Sequence, residues 1–317
     1  MAESMVDEFG ITKIYPTNTH PNRAKPWLLQ KGDWLKRRYN GVGDWNDCPI
    51  STDSNGDVII NFNTSGRKGR FPVLALLMPI TATDQRNLRK RGYMGTRNDW
   101  KNVEMTLYWK VEEVADGIPT MAFCARGGPH HSNFPLFSAP CEGTCYITKL
   151  AVEGSAAVTK ELGHPQYTGD IFSETNVDNL MHRWVGMKGI FYNMSNTDPK
   201  IELWLDDNNN NDWKLVLTVQ DSGGWFLREG IDNDCGGARD ERITWGGPGV
   251  IFKLADIRRV DMKWASVREI IPPDGYSLRN LLNAKGISFP INIREVAEDF
   301  GLTVPFSVSD LIQRELY

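Results

Sequence analysis

Lys188 and Tyr192 stand four residues apart in Arg183-Trp-Val-Gly-Met-Lys-Gly-Ile-Phe-Tyr-Asn193. An extended chain alternates its side chains, so Lys188, Ile190 and Tyr192 share one face and Met187, Gly189 and Phe191 the other. An amine beside a phenol on a sheet surface is unusual as packing and suits a cleft that handles an acidic sugar polymer. Related chemistry lies elsewhere. Arg126 is expected to share a strand face with Cys124, and Lys160 with His164. His130 and His131 follow a Gly-Gly-Pro break, and Tyr167 and Asn193 add polar contacts. Histidine, with an ordinary pKa of about 6.5, is a natural proton acceptor. Plainer roles stand beside these. Tyr192 also fits a hydrogen-bonded sandwich tyrosine, the histidines fit loop and strand-end hydrogen bonding, and Arg126 or Lys188 fits an ion pair with Glu104 or Glu202.

One loop offers oxygen ligands. Asp206, Asn208, Asn210 and Asp212 occupy alternate positions, as ligands do in calcium loops, so a structural calcium site is one reading. Glycine at the sixth place and the distal glutamate of such loops are missing, and a polar hairpin loop between Trp204 and Trp213 is the other reading. No cofactor is required by any of these residues.

Elements that could position these groups are short and alternating. Val103–Glu112 alternates over its whole length, Asp57–Asn63 does so too, and Lys200-Ile-Glu-Leu-Trp-Leu-Asp206 follows the Lys188 strand as its hairpin partner. Further runs lie at 71–78, 120–126, 146–152, 156–162, 213–220, 250–254 and 260–270, separated by Gly, Pro, Asn and Asp. Many strands with no alternating helices predict an all-β, two-sheet antiparallel jelly-roll sandwich. Residues 1–50, broken by Pro16, Pro21 and Pro26, read as an irregular arm, and 51–271 as the β domain. Residues 272–317 change character. Gly286 and Gly301, Pro290 and Pro305, and Leu278 and Ile293 all keep one spacing, which predicts a small helical repeat appendage that mediates oligomerisation or docking.

Bulk properties narrow the classes. The 317 residues carry a net charge of −4 with 40% hydrophobic and 24% charged residues, so composition points to no nucleic-acid partner. No apolar run approaches the roughly 20 residues of a membrane helix, so no membrane partner is expected. The beginning, MAESMVDEFG, lacks an apolar core for a signal peptide, which predicts a cytoplasmic or virion-associated protein released by lysis or another non-classical route. Eleven Trp and 29 Gly favour a sandwich or barrel, and exposed Trp can stack on sugar rings. Five cysteines allow at most two pairs, with Cys141 and Cys145 spaced for a small disulfide loop, a metal site or plain thiols.

Lys188-Gly-Ile-Phe-Tyr-Asn193 resembles the Lys-x-x-x-Tyr-Asn strand of alginate-lyase-like jelly rolls in the concanavalin-type lectin and glucanase superfamily. The run Asp256–Ile270 is similar to their closing strand, and the resemblance spans about residues 50–271. The chain departs from that pattern where Asn102-Val-Glu104 replaces an Arg-x-Glu strand and where His130 and His131 lie past the strand expected to hold a histidine. No Glu-x-Asp-x-x-Glu strand is present, which disfavours paired-carboxylate hydrolysis.

The resemblance implies a polysaccharide partner and β-elimination at a uronate. A cation must neutralise the sugar carboxylate, a base must take the C5 proton, and an acid must protonate the leaving oxygen. Candidates for those roles are Arg126 and Lys188, then His131 or His164, then Tyr192, with Glu104, His130, Lys160, Tyr167, Asn193 and Glu202 around the sugar. A non-catalytic carbohydrate-binding module and a virus-type structural or adhesion protein are the alternatives. The lyase reading requires these groups to meet in one open groove.

Overall fold

The computed structural model describes residues 5–19, 26–29, 50–63, 68–74, 100–127, 140–175, 177, 179–194, 198–235, 237–247 and 249–273. Within them the chain forms two antiparallel sheets. The strands are β1 (Trp27–Leu28), β2 (Ile50–Thr52), β3 (Val58–Asn63), β4 (Lys68–Leu74), β5 (Val103–Val114), β6 (Thr120–Gly127), β7 (Cys145–Ala151) and β8 (Ser155–Gly163). They continue with β9 (Gln166–Tyr167), β10 (Ile171–Glu174), β11 (Val185–Asn193), β12 (Pro199–Asp206), β13 (Lys214–Gln220), β14 (Gly249–Ala255) and β15 (Ile257–Glu269).

One sheet runs β13-β12-β11-β5-β15-β3-β2 with β1 also on β15; the other runs β10-β8-β7-β6-β14-β4 with β9 on β8. The core between them follows period-2 alternation. Val103, Met105, Leu107, Trp109 and Val111 of β5 and Val185, Met187 and Phe191 of β11 face Phe123, Leu150, Val158 and Phe252 of the opposite sheet's strands, all buried in one cluster. Each large apolar side chain buried this way contributes about 1.5–3 kcal/mol. Gly189 marks a close approach: a Cβ there would lie 2.8 Å from the Phe123 ring of the facing sheet.

Three register shifts in β15 against β5 bend the long closing strand, one of them between Lys263 and Ser266. A single disulfide among the described residues joins Cys141 to Cys235, 94 residues apart, rather than Cys141 to Cys145. Cys124 and Cys145 are buried thiols. The repeat at 278–308 and the rest of the tail from 274 onward lie outside the described residues, as do His130, His131 and Cys48.

Candidate functional site

The β11–β12 hairpin pairs Lys188 with Trp204, Ile190 with Glu202 and Tyr192 with Lys200. On its other side β11 sets Lys188 against Thr106 and Ile190 against Glu104 of β5. β15 adds Arg268 opposite Glu104. These side chains leave the sheet on the face away from the core and form one ionic cluster. Lys188 Nζ donates to Glu104 Oε1 (3.1 Å) and Thr106 Oγ1 (2.7 Å), and Arg268 Nη2 donates to Glu104 Oε2. Burial pushes the Glu104 carboxyl up, but Arg268 and then Lys188 outweigh it and hold the group below its ordinary value. Tyr192 donates its hydroxyl to Glu202 Oε1 (2.9 Å), and Trp204 Nε1 donates to Glu202 Oε2 (3.0 Å). Burial first, and the Glu202 charge second, push the Tyr192 phenol well above its ordinary value.

This face is covered. Residues 5–19 lie across it, although they are far from it in sequence. The Ile14 amide donates to Glu104 Oε2 (3.1 Å), the Tyr15 hydroxyl donates to Glu202, and Arg268 Nη1 donates to the Tyr15 carbonyl and to Thr17 Oγ1. Asn18 N donates to the Glu269 carbonyl and Ile271 N to the Pro16 carbonyl, which extends the contact to the end of β15. Ile14 and Tyr15 pack on Ile190, Tyr192 and Ile270, with the two tyrosine rings edge to face at 5.7 Å. Lys188 and Tyr192 are therefore 1% and 0% exposed.

Arg126 does not share the face of Cys124. Its φ of 67° breaks the alternation of β6, where the pairing to β14 also slips, and its side chain turns into the interior. There Nη1 donates to Asn193 Oδ1 (2.6 Å) and the Ile243 carbonyl (2.7 Å), and Nε donates to the Lys101 carbonyl (2.9 Å). Desolvation lowers its pKa to about 10. The network continues between the sheets. The Ile243 amide donates to the Tyr146 hydroxyl (3.1 Å), which donates to Asp221 Oδ2 (2.6 Å), and the same oxygen accepts from Lys160 Nζ (2.8 Å). Lys160 is fully buried, and desolvation pulls its pKa below the ordinary value.

His164 lies apart from Lys160 because the chain turns after Gly163 into β9 instead of staying extended. Its Nδ1 is 2.7 Å from Glu161 Oε1 and 3.4 Å from the Tyr167 hydroxyl, on the outer side of the second sheet. Glu161 Oε2 there accepts from Cys145 Sγ at 3.8 Å. The Cys145 thiol is pushed up by its contact with Cys124 and then by burial, which marks a structural thiol.

Asp206 is buried on the outer face of the sheet. Its Oδ2 accepts from the Tyr108 hydroxyl (2.6 Å) and the Asn211 amide (2.8 Å), and Oδ1 accepts from the Asn210 amide (3.1 Å). Asn210 Oδ1 accepts from the Asp212 amide at 3.2 Å, and Asn208 stays at the exposed tip.

Four of the residues singled out in the sequence thus meet at the covered face: Glu104, Lys188, Tyr192 and Glu202. Arg126, Asn193 and Lys160 join the interior network. His164 and Tyr167 sit on the far sheet. A single open groove holding all of them is not what the described residues form. Sequence reasoning missed Arg268, Tyr15, Tyr146 and Asp221. The first left a signal, an arginine two residues from Ser266 on the polar face of a strand otherwise rich in Val, Ala and Met; the others act across long sequence separations.

No family model matches the chain, and no curated protein matches it. Among solved structures it is similar to a marine alginate lyase from Aplysia kurodai at 9% identity, over 72% of this chain and 90% of that one, with a TM-score of 0.40. It is similar to a carbohydrate-binding module from Bacillus subtilis at 9% identity, over 70% and 92%, with a TM-score of 0.32. A sheep galectin follows at 7% identity, over 52% and 92%, with a TM-score of 0.28. At these values the likeness says nothing about residues or activity, and the two-sheet architecture stands on the strand pairing described above.

Proposed function

We propose that this chain recognises polysaccharide through its β-sandwich and does not cleave it. One observation carries the second half: every acid–base candidate among the described residues is already engaged inside the protein. Elimination at a uronate needs a cation, a base and an acid converging on one sugar, each within hydrogen-bond reach of its atom. Lys188 is spent on Glu104 and Thr106. Tyr192 donates to Glu202 beneath Tyr15. Arg126 donates to backbone carbonyls between the sheets. His164 is bound to Glu161 on the other sheet. Recognition asks less, namely flat aromatic rings beside hydrogen-bonding groups, and the face of the eight-stranded sheet carries both.

The test is to incubate the protein with alginate, polyglucuronate, pectate and hyaluronan and with neutral glucans and mannans. Retention on an affinity gel and the ultraviolet absorbance of an unsaturated uronate end are then both followed. Retention by at least one glycan with no such absorbance is the expected outcome. Absorbance that grows with the wild type and vanishes in Tyr192→Phe, with the melting temperature unchanged, would establish a lyase instead. Binding to no glycan would favour a structural or adhesion role.

A further inference from the structure

The other end of the eight-stranded sheet's outer face carries a row of half-buried tryptophans, reached among the described residues only at its edge, where Asn211 Oδ1 accepts from both the Thr12 amide and Trp213 Nε1. Trp213 packs edge to face on Tyr108 (5.7 Å), and Tyr108 packs edge to face on Trp264 (5.0 Å). Lys263 Nζ bridges Trp264 (3.6 Å) and Trp184 (4.7 Å). All three tryptophans are only half-buried. Lys263 itself is buried. Gly186 pairs with Tyr108 in the middle of the row, and any Cβ there would meet both Tyr108 and Trp213 at 2.7 Å.

Trp264 reaches this face by a distortion. Met262 and Ala265 point into the core, so a regular strand would send one of the residues between them to each face. Instead the pairing slips between Lys263 and Ser266, Trp264 takes φ 52°, and both Lys263 and Trp264 lie on the outer face. A bulky side chain in the left-handed region is strained, and bulges of this kind re-aim side chains at sites of function. The same slip turns Ala265 and Val267 into the core.

We infer that Trp184, Trp213 and Trp264 form a stacking platform for a neutral pyranose polymer. This rests on the reading of the chain as a carbohydrate-recognition protein and names its site and its class of sugar. Pyranose rings present apolar C–H faces to indole planes. Their hydroxyls find acceptors at the rim in Asp57, which holds Trp264 Nε1 at 2.9 Å, and in Glu112 and Asp261, both bound to Lys110. These three carboxylates stand against Lys110 and Lys263, and the third amine at the row, Lys188 at 4.4 Å from the Trp213 ring, is already paired with Glu104. A uronate would bring its charge to the acidic side of that balance; an uncharged sugar meets no such cost.

Titration of the full chain with cellohexaose and mannohexaose, and in parallel with alginate and polyglucuronate oligomers, tests the assignment through tryptophan fluorescence and calorimetry. The informative variant is Trp264→Gly, because glycine adopts a positive φ without strain and so removes the ring while keeping the backbone. A neutral hexasaccharide is expected to bind and to quench fluorescence. Trp264→Gly and Trp184→Ala are each expected to weaken binding roughly tenfold or more, with little change in melting temperature. Trp184→Phe, which retains a ring, should recover part of the loss. Equal binding by the wild type and Trp264→Gly overturns the platform. Binding of the acidic oligomers alone overturns it too, while leaving carbohydrate recognition standing. Failure of the wild type to bind any of the four oligomers overturns both.

Discussion

The two ends of one sheet face use polar chemistry in opposite ways. At one end Glu104, Lys188, Arg268, Tyr192 and Glu202 are buried beneath residues 5–19, and their hydrogen bonds hold that segment down. At the other, Trp184, Trp213 and Trp264 are half-buried around a buried Tyr108, with Lys110, Glu112 and Asp261 in water-accessible ion pairs. The same strands, β5, β11 and β15, run through both. Among the described residues, what differs is the cover. A charge beneath another chain segment must be matched or the fold suffers, whereas a charge at a wet rim costs little to remove. A lysine and a tyrosine aligned on a strand therefore announce a polar face without saying whether substrate or the protein's own N-terminal segment will occupy it.

The sharpest way to break this comparison is at Glu104. Glu104→Gln keeps the shape and removes the anion shared by Lys188 and Arg268, both buried. A loss of about 3–5 kcal/mol in unfolding free energy is expected, read from the denaturant midpoint. The pH dependence has a definite sign. The folded Glu104 carboxyl lies below its ordinary value of 4.5. Its contribution is therefore complete above that value and is lost as the pH falls through the lower, folded one. The wild type should lose stability in that acid range, and the variant should show a shallower loss there. A variant as stable as the wild type would mean that the covered end is not held by its ions.

Gly186→Ala probes the boundary between the ends. The added methyl would lie 2.7 Å from ring carbons of both Tyr108 and Trp213, so one ring must shift. A cost of about 1–3 kcal/mol is expected, again from the denaturant midpoint. Unchanged stability would show the row to be loosely held and unsuited to stacking.

How far the sequence discloses this molecule depends on the range of the interaction. The β11–β12 hairpin and the inward set Met187 and Phe191 follow from alternation alone, and so does the outward set Lys188, Ile190 and Tyr192. The ion pair from Lys188 to Glu104 is legible as one of two candidate partners, because both carboxylates sit on alternating strands. Alternation misleads where the backbone leaves it. The positive φ of Arg126 sends a residue expected beside Cys124 into the interior, the turn after Gly163 separates His164 from Lys160, and the bulge at Trp264 brings two successive side chains to one face. Gly163 and Pro165 mark the turn in the sequence, but neither Arg126 nor Trp264 is a residue type that favours a positive φ. The cover on Tyr192 is harder still, since Tyr15 and Glu202 are 187 residues apart and only the tertiary fold brings them together.

The mildest perturbation tests the open end on its own terms. Lys110 Nζ lies 2.6 Å from Glu112 Oε1 and 3.7 Å from Asp261 Oδ2, with the three side chains 28%, 24% and 26% exposed. The hydrogen bond to Glu112 raises the Lys110 pKa, so the amine stays charged through neutral pH. Water screens these pairs, and an exposed pair of this sort is worth about 0.2–1 kcal/mol. Lys110→Ala should therefore lower stability by no more than that, and a double-mutant cycle with Glu112→Ala should give a coupling of the same size, shrinking as salt is added. A coupling as large as the Glu104 loss would mean that the open end is built like the covered one, with ions holding a segment down. The contrast between a closed ionic floor and an open aromatic rim would then disappear.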